Sequence, residues 1–522
     1  MFKALGRCTL PKCNAADASG LKIAISLLRR FLSYSNAINA SELNERLVSA
    51  SGHLDSDVVG PIKATVIPGR GRGLVVTQPV KVGDLLLACK PLAFLSNPHG
   101  QEQLPDPMFL LEQLFQHKSS IDSSWTSAWL RLLYRGKNHS TAASKANDDE
   151  AAQLNAMLST GQLPNVQNAG TPIGREEAAA VVQYNAFGDK FDDPVASAAG
   201  SEESLTDPNV HGSKARLGGH VGLWPHFSLL NHSCLPNAVH YTIGSTMVVR
   251  ATQLLMPGDE VCVSYLGTED HAPAAVRKKV LSERFGFTCQ CPRCVLEEGL
   301  TEEMSSLLQE IHSDVHQNLM PQFTEVVDNG EGLEKVRNGI VKWSQMLYPQ
   351  LEALVNSDIA RDFQPVDRAG RSPLRRAASC SMEEEENLPE VGGPMHAVLC
   401  VEAAVYEFYQ LVSMHDEASG MDHTASLQNC IQIMDAVSRG SELHTFLSAR
   451  VLFRELSSSL KKSSPQAGGD MKSGQLRRAS PAEIEQATRD CQLAHVARYG
   501  KLPTERTLKL FRHSERVGRD YL

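Results

Sequence analysis

The chain has 522 residues, a hydrophobic fraction of 42%, a charged fraction of 21% and a formal net charge of −9. These values are those of an ordinary globular protein of about two to four domains. The acidic balance argues against direct nucleic-acid binding by bulk electrostatics. No run reaches the roughly 18 uninterrupted apolar residues of a membrane span, so we expect a soluble protein.

The twelve cysteines are too few for a disulfide framework in a chain of this length. No secretory signal is evident either. We therefore expect a reducing compartment, the nucleus or the cytoplasm or both. Five of the cysteines lie close together in the sequence: Cys234, Cys262, Cys289, Cys291 and Cys294.

Residues 1–55 begin with a basic segment that contains GLKIAISLLRRFL. This stretch is typical of an amphipathic basic helix. A helical N-terminal extension packed on the body is the interpretation we favour. An organelle transit peptide is the alternative that the composition allows.

Residues 56–100 alternate short apolar runs with Gly and Pro, which predicts several short strands. Residues 101–220 differ, because MFLLEQLFQ and WTSAWLRLLYR have helical spacing. Within this region, residues 189–217 are polar and of low complexity, so we expect a loop or a disordered insert there.

Residues 221–268 form a second β-rich block, with a hairpin turn at Gly244-Ser245 and a Pro-Gly-Asp turn before VCVSY. A cysteine-rich segment, 269–298, follows. Residues 299–522 show helical i, i+3/i+4 spacing, interrupted by predicted disordered loops near 360–392 and 457–482. Each loop contains an Arg-Arg-Ala(-Ala)-Ser sequence, ending at Ser379 and Ser480, but such short matches are frequent by chance.

The segment FTCQCPRC places Cys289, Cys291 and Cys294 at C-x-C-x2-C spacing. Three thiols at this spacing can occupy three corners of a tetrahedral zinc site, which then needs a fourth ligand. Cys262 lies in an alternating strand, where a small buried hydrophobe is the default. Cys234 is the better candidate. The alternative, that these cysteines are unrelated, fits their density poorly.

Two further features are weak when each is taken alone. PGRGRGL, Pro68 to Leu74, alternates Gly with Arg70 and Arg72, so its backbone can approach a ligand closely. A Gly-rich turn between strands is nevertheless commoner than a cofactor loop. Tyr265 closes the run EVCVSY, where a half-buried aromatic is the ordinary interpretation.

Together, and in order, GRGL, GLWPHFSLLNHSCLPN, PGDEVCVSYLG and FGFTCQCPRC resemble the SET-domain methyltransferases. The likeness covers about residues 60–296 and is greatest to the SMYD-like branch. One departure is clear: that branch carries a cysteine-rich MYND zinc module, whereas no cysteine lies between Cys89 and Cys234. The nucleic-acid or partner contacts of MYND are therefore not carried over.

The resemblance implies an α+β fold: a SET-domain β-fold with a knot-like core and a helical insert, a post-SET zinc segment at 269–298, and an all-α C-terminal domain. No clean 34-residue repeat supports a tetratricopeptide array in that domain. The implied activity is that of a protein-lysine N-methyltransferase that uses S-adenosyl-L-methionine and holds one structural zinc ion. Its substrate would be a histone or a non-histone protein, and we expect a monomer with no membrane contact. The target lysine and the number of methyl groups are not fixed by the sequence.

The resemblance also assigns roles to individual residues. Tyr265 would be catalytic, orienting the lysine amine, and would also touch the cofactor. The other implied cofactor-binding residues are Arg70, Arg72, Asn185, Ser228, Leu230, Asn231, His232 and Phe287. Phe187 and Phe285 would line the lysine channel, and Cys234, Cys289, Cys291 and Cys294 would bind zinc.

Two other functions compete with this one. A non-catalytic SET-fold scaffold would use its helical C-terminal half for protein interaction, but Asn231, His232 and Tyr265 are all present. A purely structural zinc protein would explain the cysteines and not the other motifs.

Overall fold

The computed structural model describes residues 56–98, 101, 103–116, 125–136, 148–160, 172–190, 193, 218–329, 332–364, 392–460, 479–503 and 508. The predicted N-terminal helical extension, 1–55, and most of the predicted insert at 189–217 lie outside these residues. So do residues 504–522 of the predicted helical region 299–522, apart from Leu508.

The first β block contains five short strands, as the alternating pattern predicts. They are β1 (Val58–Val59), β2 (Ile62–Ile67), β3 (Gly71–Val76), β4 (Leu85–Cys89) and β5 (Ala93–Ser96). Strands β2 and β3 form an antiparallel hairpin in which Ile67 pairs with Gly71. The tight turn uses Gly69 and Gly71, with φ of 74° and 79°, values that side chains other than glycine rarely adopt.

Four helices follow: α1 (Leu110–Phe115), α2 (Trp125–Leu132), α3 (Asp148–Thr160) and α4 (Arg175–Asn185). The first two lie where the spacing of MFLLEQLFQ and WTSAWLRLLYR predicts them, whereas the sequence analysis did not predict α3 and α4. Helix α3 packs on the β2–β3 hairpin, where the Asn155 side chain bonds both backbone polar groups of Ala64 at 2.7 and 2.9 Å. The insert is thereby fixed against the Gly-rich strand.

The second β block completes the sheets that the first block begins. The strand β6 (Phe187–Asp189) belongs to the predicted insert, 101–220, and pairs with β7 (His220–Leu223), which begins the second block. The block also contains β8 (Asn231–His232), β9 (Ala238–Ile243), β10 (Thr246–Ala251) and β11 (Cys262–Val263). Ala88 of β4 pairs with Val58 on one side and with Val248 of β10 on the other. The two halves of the β region, 56–100 and 221–268, therefore fold as one unit.

A short parallel pair lies at the centre of this unit. Asn231 of β8 pairs with Cys262 of β11, and His232 pairs with Val263. The Asn237 side chain supports the pair, accepting from the Cys262 N–H at 2.8 Å and donating to the Glu260 carbonyl at 2.7 Å. The backbone that carries the Asn-His motif is thus held on both sides.

The rest of the described chain is helical. It contains α5 (Ala274–Phe285), α6 (Pro292–Glu298), α7 (Glu302–Asp314), a π-helical turn (Val315–Leu319), α8 (Met320–Asn329), α9 (Leu333–Val355), α10 (Asp358–Arg361), α11 (Gly393–Glu402), α12 (Tyr406–Ala418), α13 (Thr424–Ser438), α14 (Glu442–Leu460) and α15 (Pro481–Tyr499). A buried core joins these helices to the β region through Ala88, Tyr241 and Val248. Arg498 of α15 adds a buried ion pair with Asp193 at 2.7 Å.

The predicted loops near 360–392 and 457–482 lie mostly outside the described residues, which show only their ends. Helix α14 continues through Leu460, and α15 begins at Pro481. Ser480 is its N-cap, because its hydroxyl accepts from the Glu483 N–H while the Glu483 carboxylate accepts from the Ser480 N–H. This capping box, S-P-A-E, is readable in the sequence. At the other loop, Arg361 still lies in α10 and Gly393 begins α11.

One segment, Gly393–Ala418, is long and apolar enough to span a membrane by length and composition. In the fold, 78% of its apolar window is buried within the protein. A 3-10 turn at Ala403–Val405 also breaks it into α11 and α12, where the sequence predicts one helix. Its apolar character is explained by its place in the helical core.

Candidate active site and zinc site

Four buried thiols meet beside the β8–β11 pair. Cys234 lies in the loop after β8, Cys289 and Cys291 precede α6, and Cys294 lies in its first turn. Their Sγ atoms all lie within 4.8 Å of one another, and those of Cys294 and Cys234 are 3.6 Å apart. A tetrahedral zinc ion with Zn–S bonds of about 2.3 Å requires S···S separations of about 3.8 Å. The donor set and its spacing therefore fit one zinc ion.

Cys262 lies outside this cluster. It is buried in β11 with its Sγ 3.8 Å from an Arg70 nitrogen, and burial raises the pKa of its thiol to about 12. The structure thus brings Cys234, and not Cys262, to the three cysteines of the C-x-C-x2-C segment.

Buried charged side chains surround the thiol cluster, although no sequence pattern indicates them. Arg277 of α5 is fully buried, with one nitrogen 3.4 Å from Cys294 Sγ and 2.9 Å from Glu297. Arg293 of α6 also pairs with Glu297, at 3.1 Å, and donates to the carbonyls of Asp270 and Cys400. A guanidinium beside a group of thiolates offsets their charge and orients them.

His232 links the thiol cluster to Tyr265. The N–H of Tyr265 donates to His232 Nδ1 at 3.1 Å, and His232 Nε2 lies 3.2 Å from Cys234 Sγ. Burial lowers the pKa of His232 to about 3, so its ring is neutral near pH 7. Since Nδ1 accepts, the ring proton is on Nε2 and faces the sulfur.

The Gly-rich hairpin packs directly on the Asn-His motif. Asn231 Nδ2 donates to the Arg72 carbonyl at 3.0 Å and to Glu260 Oε1 at 2.7 Å. A Cβ at Gly73 would lie 2.8 Å from Glu260 Oε1 and 2.9 Å from Asn231 Nδ2. The hairpin therefore needs glycine at position 73 so that these polar side chains can approach it.

The two arginines of the hairpin point to different partners. Arg70 pairs with Glu260 at 2.6 Å and donates to the His232 carbonyl. Arg72 turns toward Glu150 of α3, at 3.6 Å. Arg70 is thus placed with the Asn-His motif, whereas the Arg72 guanidinium faces the helical insert and only its carbonyl reaches Asn231.

Glu260 is a site residue that the sequence analysis did not single out. Its carboxylate contacts both Arg70 and Asn231. Burial raises its pKa, and Arg70 and Asn231 oppose that shift. In the sequence, Glu260 is one acid of a Pro-Gly-Asp-Glu turn, and nothing in the pattern separates it from Asp259.

Tyr265 follows β11, with its hydroxyl donating to the Leu230 carbonyl. Burial raises the pKa of this phenol above its ordinary value, so it is neutral near pH 7. Two other rings lie beside it: the centroid of Phe285 is 5.1 Å away and that of Phe287 is 6.4 Å away. Phe287 also contacts the His232 ring at 5.9 Å.

A second group of the expected residues lies around Trp224. Phe187 of β6 packs on Phe227 and His240, with centroids at 5.5 and 4.8 Å. Ser228 donates to the Trp224 carbonyl at 2.9 Å. Asn185, at the end of α4, donates hydrogen bonds from its side-chain amide to the carbonyls of Tyr134 and Val181. Phe187 and Asn185 are therefore placed with this group, and Phe285 with Tyr265.

Comparison with known proteins agrees with this architecture. Residues 71–266 match the family model "SET domain". The chain thus carries a SET domain, followed by a largely helical region, and this confirms the predicted fold class.

Individual proteins that are similar to this chain are named as lysine methyltransferases. The human protein "N-lysine methyltransferase SMYD2" is 26% identical over 283 residues, which are 46% of this chain and 61% of the relative. The Arabidopsis thaliana protein "Histone-lysine N-methyltransferase ASHR2" is 25% identical, over 46% of this chain and 73% of its own length. The Arabidopsis thaliana protein "Histone-lysine N-methyltransferase ASHR1" is 40% identical, over 14% of this chain and 15% of its own length. The match to SMYD2 spans about three fifths of that relative. Over its SET region, the chain is similar to these SMYD-like and ASHR proteins.

Proposed function

We propose that the protein is an S-adenosylmethionine-dependent methyltransferase that acts on the lysine amine of a protein substrate. The observation that carries the proposal is the meeting of Arg70, Asn231, Glu260 and Tyr265 at one place, from three separate segments of the β region. The names of the curated relatives, N-lysine and histone-lysine methyltransferases, support the substrate class.

The residues present fit the cofactor by the chemistry of their side chains. S-Adenosylmethionine supplies the methyl group, carried on a sulfonium sulfur. Arg70 offers a guanidinium to its carboxylate, while Asn231 and Glu260 offer an amide and a carboxylate to its ammonium. Phe287 offers an aromatic face for its adenine. Gly73 lets the hairpin lie against these groups without a clash.

The site would act on lysine mainly by orientation and desolvation. Holding the amine in line with the donated methyl group can contribute on the order of 7–11 kcal/mol in favourable cases. A free lysine has a pKa of about 10.4 and is mostly protonated, so an aromatic surround such as Phe285 favours the neutral amine. Because the Tyr265 phenol stays neutral, it orients that amine through its hydroxyl and does not take its proton.

The thiol cluster would hold one structural zinc ion through Cys234, Cys289, Cys291 and Cys294. Three of these cysteines come from the segment that also carries Phe287, and Cys234 comes from the Asn-His loop. The ion would therefore fix Phe287 beside His232. Its role is to position the cofactor site, because its four protein ligands leave no open coordination position.

The nine cysteines of the described residues are all unpaired, which supports a reducing compartment, nuclear or cytoplasmic. We propose a monomer that meets a histone or a non-histone protein and has no nucleic acid or membrane partner. The net charge of −9 favours basic substrate segments. The basic N-terminal residues keep an organelle as the alternative compartment.

Calorimetric titration with S-adenosylmethionine tests the proposal first. We expect micromolar-range binding to the zinc-loaded chain and its loss in Asn231→Ala. Asn356→Ala is the matched control, since Asn356 is exposed and its side-chain amide donates to the Glu352 carbonyl in its own helix. A folded, zinc-loaded chain that does not bind the cofactor would favour the scaffold function instead, with the helical half as its interaction surface.

A further inference from the structure

A second group of metal-binding side chains lies in the helical half, away from the thiol cluster. His312 belongs to α7, His316 to the π-helical turn and Glu407 to α12. One ligand atom from each lies within 4.8 Å of the other two. The proposed methyl transfer uses none of these residues.

The local backbone explains why the two histidines face the same way. Residues four apart lie on one side of a helix, and here the helix widens to a π turn at Val315, a distortion that is frequent at functional sites. The ring centroids of His312 and His316 are 4.6 Å apart with the planes at 81°. The rings therefore cross edge to face, next to the first turn of α12.

The carboxylate of Glu407 completes the group. Its Oε2 atom is buried and lies 2.8 Å from His316 Nε2, while the Glu407 side chain as a whole is 28% exposed. The imidazole and the carboxylate therefore converge on one place, which is the arrangement that a bound cation needs. The neighbouring acid Asp314 is already used, since it accepts from Trp343 and Asn318 at 2.7 Å.

We propose that His312, His316 and Glu407 form a second metal site, for a divalent transition-metal ion of the zinc class. Two imidazoles and one carboxylate suit zinc, copper, nickel and cobalt, whereas magnesium and calcium prefer oxygen ligands alone. With three protein ligands, the ion keeps a position open to water. Since the His316 side chain is 50% exposed, the ion exchanges more easily than one held by the four buried thiols. When bound, it ties the π turn to α12.

Zinc titration of the full chain tests this site. The protein is first freed of weakly bound metal, so that one tightly held zinc remains in the thiol cluster. We expect the wild type to bind one further zinc equivalent, with a higher thermal unfolding midpoint. His312→Ala and His316→Ala should weaken this second binding at least tenfold, and Glu407→Gln should weaken it as well.

The control is Gln317→Ala, an exposed neighbour on the same π turn, which should bind zinc as the wild type does. Cobalt added at the second site should lack the intense sulfur-to-cobalt band that thiolate ligands produce, which separates it from the thiol cluster. The proposal is overturned if the wild type binds no second equivalent, or if the folded His312 and His316 variants bind it unchanged. Because the readout is metal binding, its failure leaves the proposed methyltransferase function untouched.

Discussion

His232 Nε2 lies 3.2 Å from the Sγ of Cys234, two residues later in the chain. The other nitrogen of the same ring accepts the N–H of Tyr265. One imidazole therefore joins a thiol of the candidate zinc site to the backbone of the candidate catalytic tyrosine. The position of Tyr265 then depends on the integrity of the thiol cluster, against which Tyr265 also packs.

Removing one thiol tests this dependence. Cys234→Ser should weaken zinc binding by more than about a hundredfold, because a hydroxyl is a poor replacement for a thiolate ligand. Cofactor binding should fall with it, since Phe287 loses its anchor. Zinc content after dialysis and calorimetry with S-adenosylmethionine measure the two effects.

Cys262→Ala is the matched control, as Cys262 is buried nearby but outside the cluster. It should keep its tightly held zinc. Equal zinc loss in both variants would mean that the fourth ligand has been assigned wrongly.

The hydroxyl of Tyr265 is the group we expect to matter most for the chemical step. Tyr265→Phe removes one hydrogen bond to the Leu230 carbonyl, which should cost about 0.5–1.5 kcal/mol of stability. Methyl transfer should slow by about a hundredfold or more, because a positioned polar group contributes on that order to a rate. Affinity for S-adenosylmethionine should change little.

Radiolabelled methyl transfer to a panel of basic protein substrates gives the rate, and calorimetry gives the affinity. Tyr348→Phe serves as the control, since Tyr348 is half-exposed on α9. A Tyr265→Phe variant with full activity would refute the catalytic assignment.

Much of the β region could be predicted from sequence, because its turns carry residues with special backbone needs. The predicted turn at Gly244-Ser245 does lie between β9 and β10, and the predicted Pro-Gly-Asp turn does precede β11. The ends of the helices could be predicted less well from the sequence. The break at Ala403–Val405 lies in a run of apolar residues with no Gly or Pro, so only tertiary packing decides it.

Some site residues could likewise be predicted from the local sequence, whereas others are placed only by contacts with other segments. The C-x-C-x2-C segment is local and readable, whereas Glu260 and Arg277 become part of the site only through contacts with residues far away in the chain, such as Asn231 and Glu297. Their residue types are ordinary surface charges in a sequence. Pairing between distant segments is what places them, and no spacing rule encodes it.

Glycine at position 73 offers a steric test of the cofactor site. In Gly73→Ala the new methyl group would meet Ile67, Glu260 and Asn231 at 2.8–2.9 Å, which is too close for any Cβ. The hairpin must move away from Asn231, and we expect affinity for S-adenosylmethionine to fall at least tenfold while zinc content is unchanged. Calorimetry on both proteins measures this.

Gly174→Ala is a suitable control, because a Cβ there meets nothing within 4 Å. Cofactor binding that survives Gly73→Ala would place the pocket away from the β2–β3 hairpin.

The helical half should lose stability in mild acid, and His444 is one identifiable cause. This side chain is 1% exposed, and its Nδ1 accepts the N–H of Gly440 at 3.1 Å. Burial lowers its pKa to about 4, with Arg439 acting in the same direction and Asp435 opposing. The pKa in the unfolded chain is about 6.5, so the unfolded state binds the proton more tightly.

The stability that neutral His444 provides is therefore complete above about pH 6.5 and is lost as the pH falls toward 4. Between pH 7.5 and pH 5, this one residue should lower the free energy of unfolding by about 2 kcal/mol. In His444→Asn the amide oxygen can accept the Gly440 N–H without titrating, so the pH dependence should flatten by that amount. Urea unfolding of both proteins at the two pH values measures the difference. Parallel pH profiles would show that His444 is not held neutral by the fold.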